Sequence, residues 1–189
     1  MVNIRTFISC QTGYLIREVS VMGTSKSGRY LNTKGSGRSV SDFALVHSSE
    51  GTFKWKLVKK NGKKVKQIRL ASGGHSQNGM DLLDKYGIEY HIVKTYTNGV
   101  RVGFIPDHAD PKKRSGIGQS WFPRNWNNKD IRHAGEHVAG LKHNRHSPDG
   151  VTMWGVYKGV RVGVIKTHGK IATVFPDSDQ SSVLRRKKK

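Results

Sequence analysis

Gly99-Val100-Arg101-Val102-Gly103-Phe104-Ile105 recurs downstream as Gly159-Val160-Arg161-Val162-Gly163-Val164-Ile165. Each copy follows a tight-turn signal and alternates at the period of two that a half-buried strand requires. Before the first copy, His91–Thr97 and Val100–Ile105 flank Asn98-Gly99, which predicts a hairpin. Around the second, Thr152–Tyr157, Val160–Thr167 and Lys170–Phe175 read as a three-stranded meander with glycine turns. Two copies in one domain suggest two similar β-lobes; shared hairpin chemistry is the competing explanation.

Between the copies lies a helix, expected over Asn128–Lys142. Ile131, Ala134, Val138 and Leu141 fall on one stripe, and Asn127 or Asn128 can cap its start. Gly135 and Gly140 weaken that helix, so packing must help to hold it. Met80–Tyr86 is a shorter helix candidate. The fold class is therefore α+β, with antiparallel sheets and one main helix packed alongside.

Residues 71–178 form the expected main domain. Residues 1–70 read as a basic, partly flexible extension. Within it, Gly23–Ser41 is a Gly/Ser/Thr-rich linker carrying Lys26, Arg29, Lys34 and Arg38. A hairpin follows, with Thr52–Leu57 and Lys63–Leu70 around Asn61-Gly62. Its Lys54, Lys56, Lys64 and Lys66 fit either a ribbon that tracks phosphates or a solvated edge protected from aggregation. Residues 179–189, ending in Arg185-Arg186-Lys187-Lys188-Lys189, are expected to be a disordered basic tail.

The chain has 189 residues, with 34 Lys and Arg against 13 Asp and Glu, for a formal charge of +21. Such a field concentrates phosphate polymers at the surface. The charge is spread along the chain rather than gathered on one amphipathic helix, which favours nucleic acid over a membrane as partner. Cys10 is the single cysteine, so an internal disulfide is excluded. Met1–Gly13 is too polar for a signal peptide, and no apolar run reaches membrane-spanning length.

Nine histidines invite three chemical readings. His133-Ala134-Gly135-Glu136-His137 has the H-x-x-E-H spacing of inverted zinc peptidases, but no Glu follows Glu136 to complete the ligand set. A metal-dependent ββα-type nuclease would use His108 as base, Asn125 or Asn128 as orienter, and His133 or His137 as ligand. The third reading needs neither metal nor cofactor. One imidazole takes the 2′-OH proton of RNA, a second protonates the leaving 5′ oxygen, and a cation or backbone donor steadies the phosphoryl oxygens. His75, in Gly73-Gly74-His75, and His108, in Ile105-Pro106-Asp107-His108, each sit in a loop beside structured segments. A turn-stabilising role for His75 and an Asx-type loop at Asp107-His108 are the competing explanations. A non-catalytic RNA-binding module is the remaining alternative.

Gly73–His75, Gly118–Trp126, the Ile131–Val138 helix and Gly169–Pro176 together resemble the bacterial EndoU family of endoribonucleases. The likeness is greatest to EndoU domains that close polymorphic toxins of bacterial competition systems. It implies two antiparallel β-lobes with a cleft between them, and cleavage of single-stranded RNA, near uridine, to 2′,3′-cyclic phosphate ends. It also implies that His75 and His108 are the catalytic pair, with His75 as acid and His108 as base. Thr173 would line the phosphate or uracil site and Phe175 would stack on a base, where many relatives carry Tyr. The family's lysine is open among Lys112, Lys113, Lys158, Lys166 and Lys170; Lys113 and Lys170 are taken as substrate-binding. A monomer delivered into a target-cell cytoplasm, acting on RNA such as tRNA and neutralised by a cognate immunity protein, completes the expectation.

Overall fold

The two copies of the repeat become the middle strands of two separate three-stranded sheets. The computed structural model describes residues 38–185. In chain order it contains α1 (Asp42–Ser49), β1 (Thr52–Lys60), β2 (Lys63–Ser72), α2 (Gln77–Lys85), β3 (His91–Thr95), β4 (Arg101–Phe104) and β5 (Gln119–Trp121). There follow α3 (Asn128–Gly140), β6 (Met153–Tyr157), β7 (Val160–Thr167), β8 (Lys170–Pro176) and α4 (Ser181–Arg185). The sheets run β1-β2, β3-β4-β5 and β6-β7-β8, with antiparallel neighbours throughout. The class is α+β, as the periodicities required.

Glycine is needed at the same place in both copies, for different reasons. A side chain on Gly103 of β4 would strike the His91 carbonyl oxygen across the ladder. On β7, a Cβ at Gly163 would come within 2.6 Å of the Phe175 ring and 2.8 Å of Trp154. The hairpin turns also differ. Asn61-Gly62, Lys158-Gly159 and His168-Gly169 have positive φ at both residues, the conformation that matches strand twist in two-residue turns. At Asn98-Gly99 only the glycine does, and the turn closes through Gly99 N–H to the Tyr96 carbonyl at 2.9 Å.

Two apolar clusters lie beneath the sheets. The larger joins Val40, Ala44 and Leu45 around α1 to Ile131, Ala134 and Val138 of α3 and Val162, Val164 and Val174 of β7 and β8. The smaller joins Leu70 at the end of β2 to Met80 and Leu83 of α2, Ile105 and Trp121. Asn127 and Asp130 form a reciprocal capping box at the start of α3. The turns preceding β4 and β7 meet directly. Asn98 Nδ2 donates to the Gly159 carbonyl and to Gln180 Oε1, each at 2.9 Å.

Two segments differ from the sequence reading. Residues 42–49, placed there in a basic extension, form α1 and supply core side chains. They gave no clear helical stripe, and packing on β8 and α3 holds them. The segment after 178, expected to be disordered, is ordered through residue 185. Gln180 is fully buried and bonded to Arg161 and Asp177, and Val183 is buried on α4. Most of the Gly23–Ser41 linker lies outside the described residues, as does the end of the basic tail; Ser41 itself caps α1.

Gly135 brings α3 against Val174 and Val40, whose methyl groups would lie 2.6 and 2.8 Å from an added Cβ. Gly140, in the same helix, faces open space. Gly135→Ala should therefore cost about 1–3 kcal/mol by overpacking. Gly140→Ala should add about 0.5 kcal/mol by removing backbone freedom from the unfolded chain. Urea denaturation of the two variants checks both signs.

Candidate active site

The last turn of α1 leaves carbonyl groups without helical partners. The Gly-Gly-His loop supplies them. Gly74 N–H donates to the His47 carbonyl (3.1 Å), His75 N–H to Ser48 (2.7 Å) and Ser76 N–H to Ser49 (3.2 Å). Gly73 and Gly74 have φ of 72° and 71°, and a side chain on Gly73 would collide with the His47 carbonyl. Glycine is demanded here both by backbone conformation and by close approach. The same turn grips β8, since Val174 N–H donates to Ser48 Oγ at 2.9 Å.

His75 sits where β5 meets β8. Its Nδ1 donates to the Ser120 carbonyl at 2.7 Å, and Ser120 Oγ donates to the Pro176 carbonyl at 2.6 Å. That bond places the proton on Nδ1 and leaves the Nε2 lone pair available. The Phe175 ring lies 5.8 Å from the imidazole, tilted by 38°. Thr173 lies two residues earlier on β8 and so shares the strand face of Phe175.

Lys113 unites the cluster electrostatically. Its Nζ donates to Gln119 Oε1 at 2.9 Å, and Gln119 Nε2 donates to the Gly73 carbonyl at 2.9 Å. Burial lowers the Lys113 pKa, partly opposed by Asp110. Burial first, then the Lys113 ammonium, pushes the His75 pKa from 6.5 down to about 3; the Ser120 carbonyl opposes this, and His47 and His108 add to it. Burial and then Lys113 also lower His47, on α1, whose Nδ1 lies 3.1 Å from Thr52 Oγ1. His47 is half-buried, while His75 is 5% exposed.

His108 occupies a different situation. It is fully buried, and its Nδ1 accepts the Asp110 N–H at 2.9 Å. Its proton therefore resides on Nε2, which is sealed from solvent without a partner. Burial and then Lys113 push its pKa down to about 4. The fold thus brings Phe175 to His75 and sets Lys113 close enough to act on His75, His47 and His108.

The other candidates are placed elsewhere. Lys170 is exposed at the start of β8, about 17 Å along the strand from Phe175. Lys158 pairs with Asp130 at 2.7 Å, and Lys112 is exposed. Glu136 accepts from Val40 N–H, the His137 ring lies against Tyr157, and Asn128 accepts from Ser49 Oγ. Among the described residues, no three His, Cys, Asp or Glu side chains are grouped to hold a metal ion. His47 went unnoticed in the sequence because α1 did. The paired glycines before His75 signalled a close backbone approach without revealing what approached.

Imidazoles beside a half-buried ammonium, on a chain of +21, equip a surface for proton transfer at a phosphate. The model of the bacterial EndoU nuclease family matches residues 60–178, well over half of the chain. The chain belongs to that family and is a nuclease. Comparison with curated proteins and with solved structures returned no match. The matched span contains His75, His108, Lys113, Thr173 and Phe175, while His47 precedes it.

Folded-state pKa values of about 3 and 4 lie below the ordinary 6.5, so between these limits the unfolded chain binds more protons. Stability is then complete above pH 6.5 and falls on acidification toward pH 3. The urea midpoint should drop steadily over that window. His108→Asn, which retains an acceptor for Asp110 N–H, should flatten the decline; an unchanged slope would remove His108 from the account.

Proposed function

We propose that this nuclease cleaves single-stranded RNA by transesterification, with His75 as base and His47 as acid. The supporting observation is the convergence of these two imidazoles and Lys113 on the α1–Gly-Gly-His junction. Neutral at physiological pH and protonated on Nδ1, His75 can accept the 2′-OH proton at Nε2. The 2′ oxygen then bonds to phosphorus, the bond from phosphorus to the 5′ oxygen breaks, and His47 delivers a proton to that oxygen. The products are a 2′,3′-cyclic phosphate and a 5′-OH. Lys113 offsets the charge that builds on the non-bridging oxygens.

His47 acquires its proton against the field of the same lysine. In the free protein, burial and the ammonium lower its pKa. A bound phosphate brings opposite charge and restores proton affinity. Phe175 offers a flat apolar face beside His75 for a base, and Thr173 a hydroxyl on the same strand face. With no hydroxyl on Phe175, uridine preference has to come from Thr173 and neighbouring backbone. The resemblance to toxin-type domains adds the setting: delivery into a rival cell, with a cognate immunity protein protecting the producer.

His75→Ala and His47→Ala should each slow cleavage of a labelled RNA in EDTA by about 10²–10⁴-fold. His108→Asn should stay within about tenfold of the parent, as its ring is buried without access to RNA. A 2′-deoxy substitution at the cut should block the reaction. Cleavage that survives that substitution, or that requires added metal, favours the ββα-type alternative. Binding without any cleavage leaves an RNA-binding module.

A further inference from the structure

The ribbon formed by β1 and β2 carries a dense, single-signed charge. Residues 52–72 contain seven lysines, Arg69 and no Asp or Glu. Their pairing is electrostatically unfavourable. Lys54 stands opposite Arg69, and Lys59 opposite Lys64. Directly opposed like charges destabilise a two-stranded ladder, and an isolated pair of strands is marginal to begin with. A ribbon kept only as a solvated edge is better served by alternating signs.

One face of the ribbon also exposes apolar side chains among those charges. Trp55 pairs with Ile68, Leu57 with Lys66, and Lys59 with Lys64, so all six share a face. Trp55 is 69% exposed and Leu57 61%. At the root, a cavity of about 420 Å³ opens between Trp55 and Tyr86, lined also by Lys66, Ile68, Lys85 and Asp107. Asp107 is already engaged by Gln67 and Arg69.

The ribbon points away from the catalytic loop without a break. Leu70 is anchored in the core, its carbonyl accepts from Ala109 N–H at 2.9 Å, and β2 runs straight into Gly73-Gly74-His75. From Ser72 to Lys63 the strand extends about 30 Å. Aromatic rings for bases set among cations for phosphates are the recurring equipment for single strands read without sequence preference.

We infer that the β1–β2 ribbon is an RNA-gripping arm: it binds the single strand flanking the scissile phosphate, with Trp55 stacking on a base over the Trp55–Tyr86 slot and Lys59, Lys64 and Lys66 tracking the backbone. The inference rests on RNA being the substrate. It assigns substrate length dependence to a ribbon that runs outward from the imidazoles. Short substrates engage the imidazole site alone; long ones engage both.

The test compares a dinucleoside monophosphate with a 20-nucleotide single-stranded RNA, across a salt series. In the K59Q/K64Q/K66Q variant, KM for the long RNA should rise about tenfold near 0.1 M salt, with kcat unchanged. The slope of log KM against log salt should fall by about 2, at roughly 0.7 for each phosphate no longer neutralised. Trp55→Ala should raise the same KM by about 5- to 100-fold, as expected for a missing base stack. Cleavage of the dinucleoside should not change in either variant.

A second measurement uses the unmodified protein. Trp55 is far more exposed than Trp121, Trp126 or Trp154. A non-cleavable oligodeoxyuridine should therefore quench its emission and shield it from acrylamide. Equal losses on long and short substrates, unchanged KM on the long RNA, or unaltered Trp55 emission in saturating oligonucleotide would each overturn the inference. A ribbon that serves a protein partner would give those flat results. Loss of the nuclease reading is distinguishable: the intact protein would cleave no RNA, while Trp55 would still report whether the arm grips a strand.

Discussion

Three peptide hydrogen bonds between the end of α1 and the Gly-Gly-His loop hold the rest of the site in place. Carbonyls at a helix terminus must find donors, and water is the usual one. Here three consecutive N–H groups take that part, at 2.7–3.2 Å. The backbones of His47 and His75 are consequently fixed relative to one another, and the bond from His75 Nδ1 to the Ser120 carbonyl then orients that ring. Ser48 extends the arrangement to β8 through Val174, a residue very distant in sequence. A helix of eight residues thus joins the loop bearing one imidazole to the strand bearing Phe175.

A comparably small set of bonds joins the two sheets. Asn98, at the turn before β4, donates to the Gly159 carbonyl at the turn before β7, and buried Gln180 takes a further bond from the same amide. Gln180 also accepts from Arg161 N–H and donates to the Arg161 and Asp177 carbonyls. The arginines at matching positions of the two copies have different partners. Arg161 pairs with Asp177 and lies over Trp154, whereas Arg101 donates to Gln77 and to the Phe122 carbonyl. Phe122 N–H in turn donates to the His75 carbonyl, so the β4 copy buttresses the Gly-Gly-His loop.

Much of this was legible in the sequence where the signal was local. Strand alternation, Asn-Gly and Lys-Gly turns and the Ile131–Val138 stripe each encode their element within a few residues, and the hairpins and α3 appear where those signals put them. His75 and Phe175 were also visible, because glycine pairs and a Thr-x-Phe-Pro ending are unusual strings. What stayed hidden depends on contacts across the chain. The residues of α1 form a helix because β8 and α3 cover them, a fact that no window of eight residues carries. Among five candidate lysines only tertiary structure separates Lys113, whose partner Gln119 lies across a loop. The burial of His108 was equally invisible, since Asp107-His108 reads as an ordinary polar turn.

The Lys113–Gln119 bond has a consequence for how the protein behaves before it meets a substrate. A half-buried ammonium is met by a neutral amide rather than a carboxylate, and burial first, then its field, lowers the proton affinity of His75 and His47. Desolvated positive charge of this kind is a free-energy debt carried by the unliganded fold. An anion that binds there relieves it, and binding to the native state alone adds about 2.7 kcal/mol of stability at a ligand concentration one hundred times Kd. Any anion that binds at this ammonium in the native state alone is therefore thermodynamically linked to folding.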